Sequence, residues 1–270
     1  MKKQRIRLNT FLFTSALLGA IPVGLILLAL INIASGQLSD PVYFWTIATE
    51  SEVISTILLT FSAGLCAVIL LLIFGTPLAY ILSRTTSTPG KVIETIIDLP
   101  VMLPHTIAGL MVYLLFMPNG WIGAPLSAIG IAFEDAFAGI VAAMLFVATP
   151  FYVSTVREGF AKVPRHIENA ASTLGATPFT VFRKISLPMT VRHIATGSVL
   201  AWGRAISEFS AVIMIAYYPA VISTLIYNRF MTGGLKESSA VALVMIIACL
   251  AIFFILKFIA GKIGKHYDRA

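Results

Sequence analysis

The chain has 270 residues, of which 58% are hydrophobic and only 11% charged, with a formal net charge of +7. An ordinary soluble domain carries about 25% charged residues, so this composition excludes a water-soluble globular protein, a disordered chain and a disulfide scaffold. The basic excess reads first as the cytoplasmic loops of a membrane protein, not as a nucleic-acid surface. Cys66 and Cys249 both lie inside long apolar runs and offer neither a metal site nor an extracellular staple.

A hydrocarbon core of about 30 Å takes about 20 apolar residues as a helix. Six runs qualify, at about 10–34, 53–82, 94–117, 136–156, 193–216 and 239–260. The first carries no charge. It reads as a span, or as a signal peptide behind the basic stretch 1–7, although it is longer than the 7–15 residues of a usual h-region. The second holds Gly75, Thr76 and Pro77 near its end. The third opens on Asp98-Leu99-Pro100 and Pro104, where a helix break is expected because proline removes a donor and crowds the preceding turn. The fifth contains Arg204 and Glu208.

Lys and Arg set the orientation. Sixteen of the nineteen fall on one side: four near the N-terminus, Arg84 and Lys91, six between Arg157 and Arg192, and four near the C-terminus. The other side has Arg229 and Lys236. The expected fold is therefore an all-α polytopic membrane protein of six helices with both termini cytoplasmic. The outer connections, about 35–52, 118–135 and 217–238, are too short to fold as a substrate-binding domain. No internal repeat is evident, which speaks against the inverted-repeat transporters.

The inner loop 157–192 carries its own helical signals. Pro164 suits a first helical turn. Ile167, Ala170, Ala171 and Leu174 follow at i, i+3, i+4 and i+7, one apolar face. Gly175 stands where a left-handed residue ends a helix. Thr177 can cap a second short helix with Pro178 at its first position. Leu187-Pro188 closes the segment. Two readings stay open: a surface hairpin covering its own bundle, or a docking element for a cytoplasmic partner.

An ionised side chain at the bilayer centre costs about 2.5–3.5 kcal/mol, so Arg204 is expected to face protein or water. Glu208, four residues on, can pair with it. The pair reads as a structural tether or as positive potential on an anion pathway. His105 and Thr106, behind Pro104, and Ser207 are further polar candidates beside such a pathway. The sequence has no G-x-x-x-x-G-K-[ST] loop, no H-E-x-x-H, no C-x-x-C and no G-x-S-x-G, and its four histidines show no ligand spacing. Neither catalysis, metal binding nor nucleotide binding by this chain is expected.

The stretch Glu168-Asn169-Ala170-Ala171-Ser172-Thr173-Leu174-Gly175-Ala176, followed by Ile185-Ser186-Leu187-Pro188, resembles the "EAA" loop of ABC importer permeases. Aligned on the glycine, Asn169 occupies the family's glutamate position and Glu168 lies one residue earlier. Phe74-Gly75-Thr76-Pro77-Leu78-Ala79-Tyr80 resembles the family's G-x-P-x-A-Y segment. The run from Asp98 to Gly109 resembles the L-P-x-x-L-P-P-x-x-x-G segment of the molybdate, tungstate and sulfate branch. Arg204-Ala205-Ile206-Ser207-Glu208-Phe209-Ser210-Ala211 resembles that branch's R-A-x-G-E-F-G-A, with Ser207 and Ser210 in place of glycines.

The resemblance implies a type I importer domain over 50–261, preceded by residues 1–49 with the first span and followed by a basic tail, 262–270. It implies a homodimer, two ATPase subunits holding ATP and Mg, and an external oxyanion-binding protein, in the plasma membrane of a bacterium or archaeon. The helix from Pro164 to Leu174 would then couple to the ATPase, and spans three and five would flank the pathway. Tungstate or molybdate is the expected cargo. Sulfate, thiosulfate, phosphate or an organic solute is the alternative within the superfamily. A secondary transporter or channel without ATP, and a membrane scaffold without flux, are the readings outside it.

Overall fold

The uncharged run near the N-terminus forms one uninterrupted helix, α1 (Thr10–Leu38), in a computed structural model that describes the backbone of residues 10–267 and the side chains of residues 11–255. The terminal cations Lys2, Lys3, Arg5, Arg7 and Arg269 lie outside the described residues. α1 is apolar all round and none of its apolar window is buried within the chain. It touches only α2 (Pro41–Ala48) and α13 (Ile222–Tyr267) closely. A helix with no polar face and no cover is stable only in lipid or against another protein.

Asp40 caps α2 by accepting from the Tyr43 N–H at 3.2 Å. The Lys236 ammonium, 2.9 Å away, is the main reason the Asp40 carboxyl is held below the usual carboxylate range. α3 (Ser51–Leu70) continues through a widened π-turn, Leu71–Gly75, into α4 (Thr76–Arg84). The cause is Pro77, which brings no N–H and whose ring would strike the Ile73 carbonyl. The π-turn absorbs this, with the Thr76 N–H reaching back to the Leu71 carbonyl.

The third run is not a straight crossing. It divides into α5 (Thr88–Met102) and α6 (His105–Phe116), bent by 116°. Pro104 drives Leu103 into extended backbone (φ −82°, ψ 143°), as the residue before a proline prefers. After α7 (Gly123–Ser127), α8 (Phe137–Ala161) forms the axis of the bundle, with Ile140, Met144, Tyr152 and Phe160 fully buried. It packs chiefly on α11 (Leu187–Ile206), α4 and α3. Lipid tails are as apolar as leucine, so close packing through small residues drives such association. Ala63, Ala67, Ala143, Ala148, Ala201 and Ala205 accordingly lie wholly buried in these contacts.

The fifth run also departs from expectation. Its helix starts earlier, at Leu187, and ends at Ile206; the short α12 (Ser210–Ile215) follows after a break at residues 207–209. Glu208 stabilises the break, because its carboxylate accepts the Ala211 N–H at 2.8 Å, a donor that the first turn of α12 leaves unpaired. Among the described residues, four helices are long and apolar enough to cross a membrane, and the bent α5–α6 pair makes a fifth candidate. α11 is too polar to count by that criterion.

The outer segment expected as a loop over 217–238 is mostly helix. α13 begins at Ile222 and breaks at Gly234, whose φ of 74° and ψ of −164° are outside the helical range. Arg229 before the break pairs with Glu50 at 2.8 Å, Glu52 at 2.5 Å, and Glu237 beyond the break. These charges read as loop-like along the sequence, yet Arg229 is neutralised by Glu237 eight residues on and by Glu50 and Glu52 from far away in the chain.

Candidate functional site

Two polar assemblies stand out from the apolar bundle. The first is the hairpin of the loop 157–192. α9 (Arg165–Thr173) is capped by Pro164 and ends at Leu174. Gly175 has φ +88°; its N–H bonds to the Ser172 carbonyl and the Ala176 N–H to the Ala171 carbonyl, both at 3.0 Å. This paired closure uses a left-handed residue to satisfy the carbonyls at the helix end. α10 (Pro178–Val181) follows, with the Thr177 hydroxyl accepting from the Thr180 N–H at 3.3 Å. A second π-turn, Phe182–Ser186, leads into α11. It precedes Pro188 as the first π-turn precedes Pro77, and the Leu187 N–H reaches back to the Phe182 carbonyl.

The hairpin is anchored by a residue whose role the sequence did not disclose. Glu168 is buried, and its carboxylate receives Arg84 Nη2 at 2.7 Å and the Ser186 hydroxyl. Arg84 also donates to the Phe160 carbonyl at 3.0 Å, and Arg165 to the Arg84 carbonyl at 3.2 Å. Tyr80, Phe160 and Phe182 stack beside this knot, with ring centroids 4.9–6.0 Å apart. The hairpin is therefore joined to the ends of α4 and α8. Asn169 is exposed.

The opposite edge is uncovered. Of the apolar face read from the sequence, Ile167 and Ala171 are half-buried, whereas Ala170 is exposed and Leu174 is 89% exposed. Phe179 on α10 is 68% exposed. The loop does not cover its own bundle with this face. Ile185, Leu187 and Pro188 are half-buried where the hairpin re-enters α11.

Gly175 has open space around it, so a side chain there meets no neighbour. The obstacle is backbone: a β-branched residue at φ +88° is strained by about 1–2 kcal/mol. Gly175→Val is expected to leave the bundle inserted while tilting α9 relative to α10. Protease accessibility of the hairpin in the folded protein should rise; an unchanged digestion pattern would show that the turn tolerates the substitution.

The second assembly gathers the polar residues of the third and fifth runs. Arg204 Nη2 lies 2.6 Å from Glu208 Oε2 and 3.0–3.2 Å from both ring nitrogens of His105. His105 Nδ1 is 3.9 Å from Glu208 Oε2. Arg204 Nη1 reaches the Ser207 hydroxyl at 3.4 Å. Glu208 is 2% exposed, and Ser223 of α13 donates to its carbonyl at 2.9 Å. The breaks on either side make this meeting possible: Pro104 starts α6 at His105, and Ser207 ends α11 beside it. Gly109 brings α6 onto α12, since a Cβ there would lie 2.6 Å from the Ala211 Cα. Thr106 is exposed next to His105, and no hydrogen bond of its hydroxyl joins it to the cluster.

Broken spans, a glycine-closed hairpin and a polar cluster between α6 and α11 are the features to be matched to known proteins. Residues 72–269 match the family described as binding-protein-dependent transport system inner membrane component. The chain belongs to that family. It is a permease component of a transport system. It is 34% identical over 258 residues to the molybdate/tungstate transport system permease protein of Thermococcus kodakarensis, covering 95% of this chain and 99% of that one. It is 30% identical to the sulfate transport system permease protein of Salmonella typhimurium, covering 97% and 94%. A solved bacterial ABC transporter involved in alginate import shares the fold, with a TM-score of 0.68, 22% identity and 96% of each chain covered. The permease thus has the all-α fold of that transporter and is an inner-membrane component of a binding-protein-dependent transport system.

Proposed function

We propose that this permease imports an oxyanion, molybdate or tungstate, as the membrane subunit of an ATP-driven system, with the hairpin 165–186 as its coupling element. The observation that carries the coupling role is the asymmetry of the hairpin. One edge is knotted to the bundle through Glu168, Arg84 and Ser186. The other presents Leu174 and Phe179 to solvent, where a partner would bury them. An apolar pair held at the end of rigid spans is suited to transmit the closure of an ATPase.

Two copies of the chain, two ATPase subunits carrying ATP and Mg, and an external binding protein complete the assembly in this reading. The relationship to the molybdate/tungstate permeases supports the cargo. Sulfate is the second reading, favoured by the relationship to the sulfate permease. Six crossings with both termini cytoplasmic follow from the charge asymmetry, with α11 and α12 as the fifth crossing, shielded from lipid by α8 and α6.

The test is photo-crosslinking in membranes from cells that also make the neighbouring ATPase. A photoreactive residue at Leu174 or Phe179 is expected to capture the ATPase, and one at Trp121 is not. A cysteine at Leu174 should be protected from an impermeant reagent added outside, whereas one at Asn119 should react. Capture from Trp121, or outside labelling at Leu174, would overturn both the coupling role and the orientation.

A further inference from the structure

Arg204 Nη2 lies 3.0 and 3.2 Å from the two ring nitrogens of His105. An atom in the imidazole plane at those distances from both would overlap a ring carbon. The guanidinium nitrogen therefore sits over the face of the ring. Arginine suits this contact, because its planar and weakly hydrated cation stacks on aromatic faces. The same kind of support recurs at Arg84, whose Cζ lies 5.5 Å from the Tyr80 ring centroid.

The polar contacts of Arg204 grip only its edge. Glu208 Oε2 receives Nη2 at 2.6 Å, and the Ser207 hydroxyl lies 3.4 Å from Nη1. One hydrogen bond of normal length leaves a guanidinium free to swivel about it. Among the described residues, no Phe, Tyr or Trp ring lies over Arg204. The preceding residue of α11 is the exposed Gly203, which has open space where a side chain would start. The Nε–H and the second Nη1–H have no acceptor among the described residues. The side chain stays 17% exposed, so these unspent donors can be reached. An arginine fork recognises an oxyanion by presenting two N–H groups to two of its oxygens, which requires a fixed plane.

We propose that His105 is a positioning residue: its ring face fixes the plane of the Arg204 guanidinium, so that an oxyanion meets the unspent donors already oriented. The ring works here as a flat surface, and its nitrogens take no part. Holding the plane in advance spares the cost of ordering the side chain at each encounter. Pro104 makes the arrangement possible, because the helix break places the ring at the first position of α6, facing the end of α11. The proposal rests on the oxyanion pathway reading above.

Two variants of the full permease separate the ring face from the ring nitrogens. His105→Phe keeps a flat face and removes both nitrogens. His105→Gln keeps hydrogen-bonding groups and removes the face. Uptake of labelled molybdate would be measured per folded permease, in proteoliposomes with the ATPase and saturating binding protein. His105→Phe is expected to stay within about twofold of wild type, and His105→Gln to fall about fivefold, which is about 1 kcal/mol. The reverse order would make the nitrogens the working groups and overturn the proposal. Equal uptake in the two variants would also overturn it. The second readout needs no cargo: the NMR signal of the Arg204 Nε–H, assigned by its loss in Arg204→Lys. A ring face shifts that signal upfield in wild type, and the shift should vanish in His105→Gln. The same signal in both would overturn the proposal, even if His105→Phe failed to fold. Absence of any oxyanion uptake by wild type would instead sink the cargo reading, and the NMR comparison would then decide the positioning role alone.

Discussion

Glu168→Ala is expected to lower ATP-driven uptake about tenfold or more while the permease still reaches the membrane. Hydrogen bonds to charged groups contribute about 1.5–3 kcal/mol each, and about 1.4 kcal/mol is a factor of ten. Glu168 makes two such bonds, to Arg84 and to Ser186. Apart from Glu168 itself, the only buried side chain of α9 and α10 is Val181. Little else fixes the hairpin, so losing the carboxylate lets it open locally without unfolding the bundle. Arg84, half-buried, would also lose its carboxylate and keep only the Phe160 carbonyl and the Tyr80 ring as partners. Uptake, permease abundance and ATPase co-purification would be measured on the same membranes. The reversed pair, Arg84→Glu with Glu168→Arg, should recover part of the uptake. Wild-type uptake in Glu168→Ala would show that the knot does not position the hairpin.

Arg204→Ala is expected to have the second large effect, and it acts twice. Breaking a buried ion pair by removing one partner costs about 3–5 kcal/mol, because the remaining charge is left uncompensated. Glu208 would be that charge, at 2% exposure, and folded permease in the membrane should decline. Glu208→Ala added to Arg204→Ala removes the orphan carboxylate and should restore abundance. Uptake should stay low in the double variant, since the Arg204 guanidinium that reaches His105 from α11 is gone. Recovery of uptake together with abundance would make the pair a structural tether only. The Ala211 N–H loses its acceptor in the double variant, so recovery of stability should be incomplete.

Much of this was legible in the sequence. The hairpin was, because proline, glycine and threonine mark helix ends by local chemistry that needs no tertiary partner. Pro164, Gly175 and Thr177 stand where their backbone preferences put them. The meeting of Arg204 with Glu208 was readable from their spacing of four. Its third member was not: His105 lies 99 residues away and joins only because two helix breaks face each other. The anchor Glu168–Arg84 was hidden for the same reason: the family pattern marked both Glu168 and Asn169, but not that Glu168 turns to Arg84 while Asn169 stays exposed. The bend at Pro104 was expected as a break, but neither its angle of 116° nor the close packing of α6 on α12 at Gly109 can be read from local sequence. The helical start of α13 was missed because its charges look solvated until Arg229 is seen among three carboxylates.

The central claim is that ATP hydrolysis on a partner drives an oxyanion through this permease. The most direct measurement is uptake of labelled tungstate into sealed vesicles containing the permease and its ATPase, with the binding protein supplied outside and ATP trapped inside. The account predicts accumulation that stops when ATP, the ATPase or the binding protein is omitted, and that unlabelled molybdate suppresses. Equal accumulation without ATP would contradict it and make the chain a channel or secondary transporter.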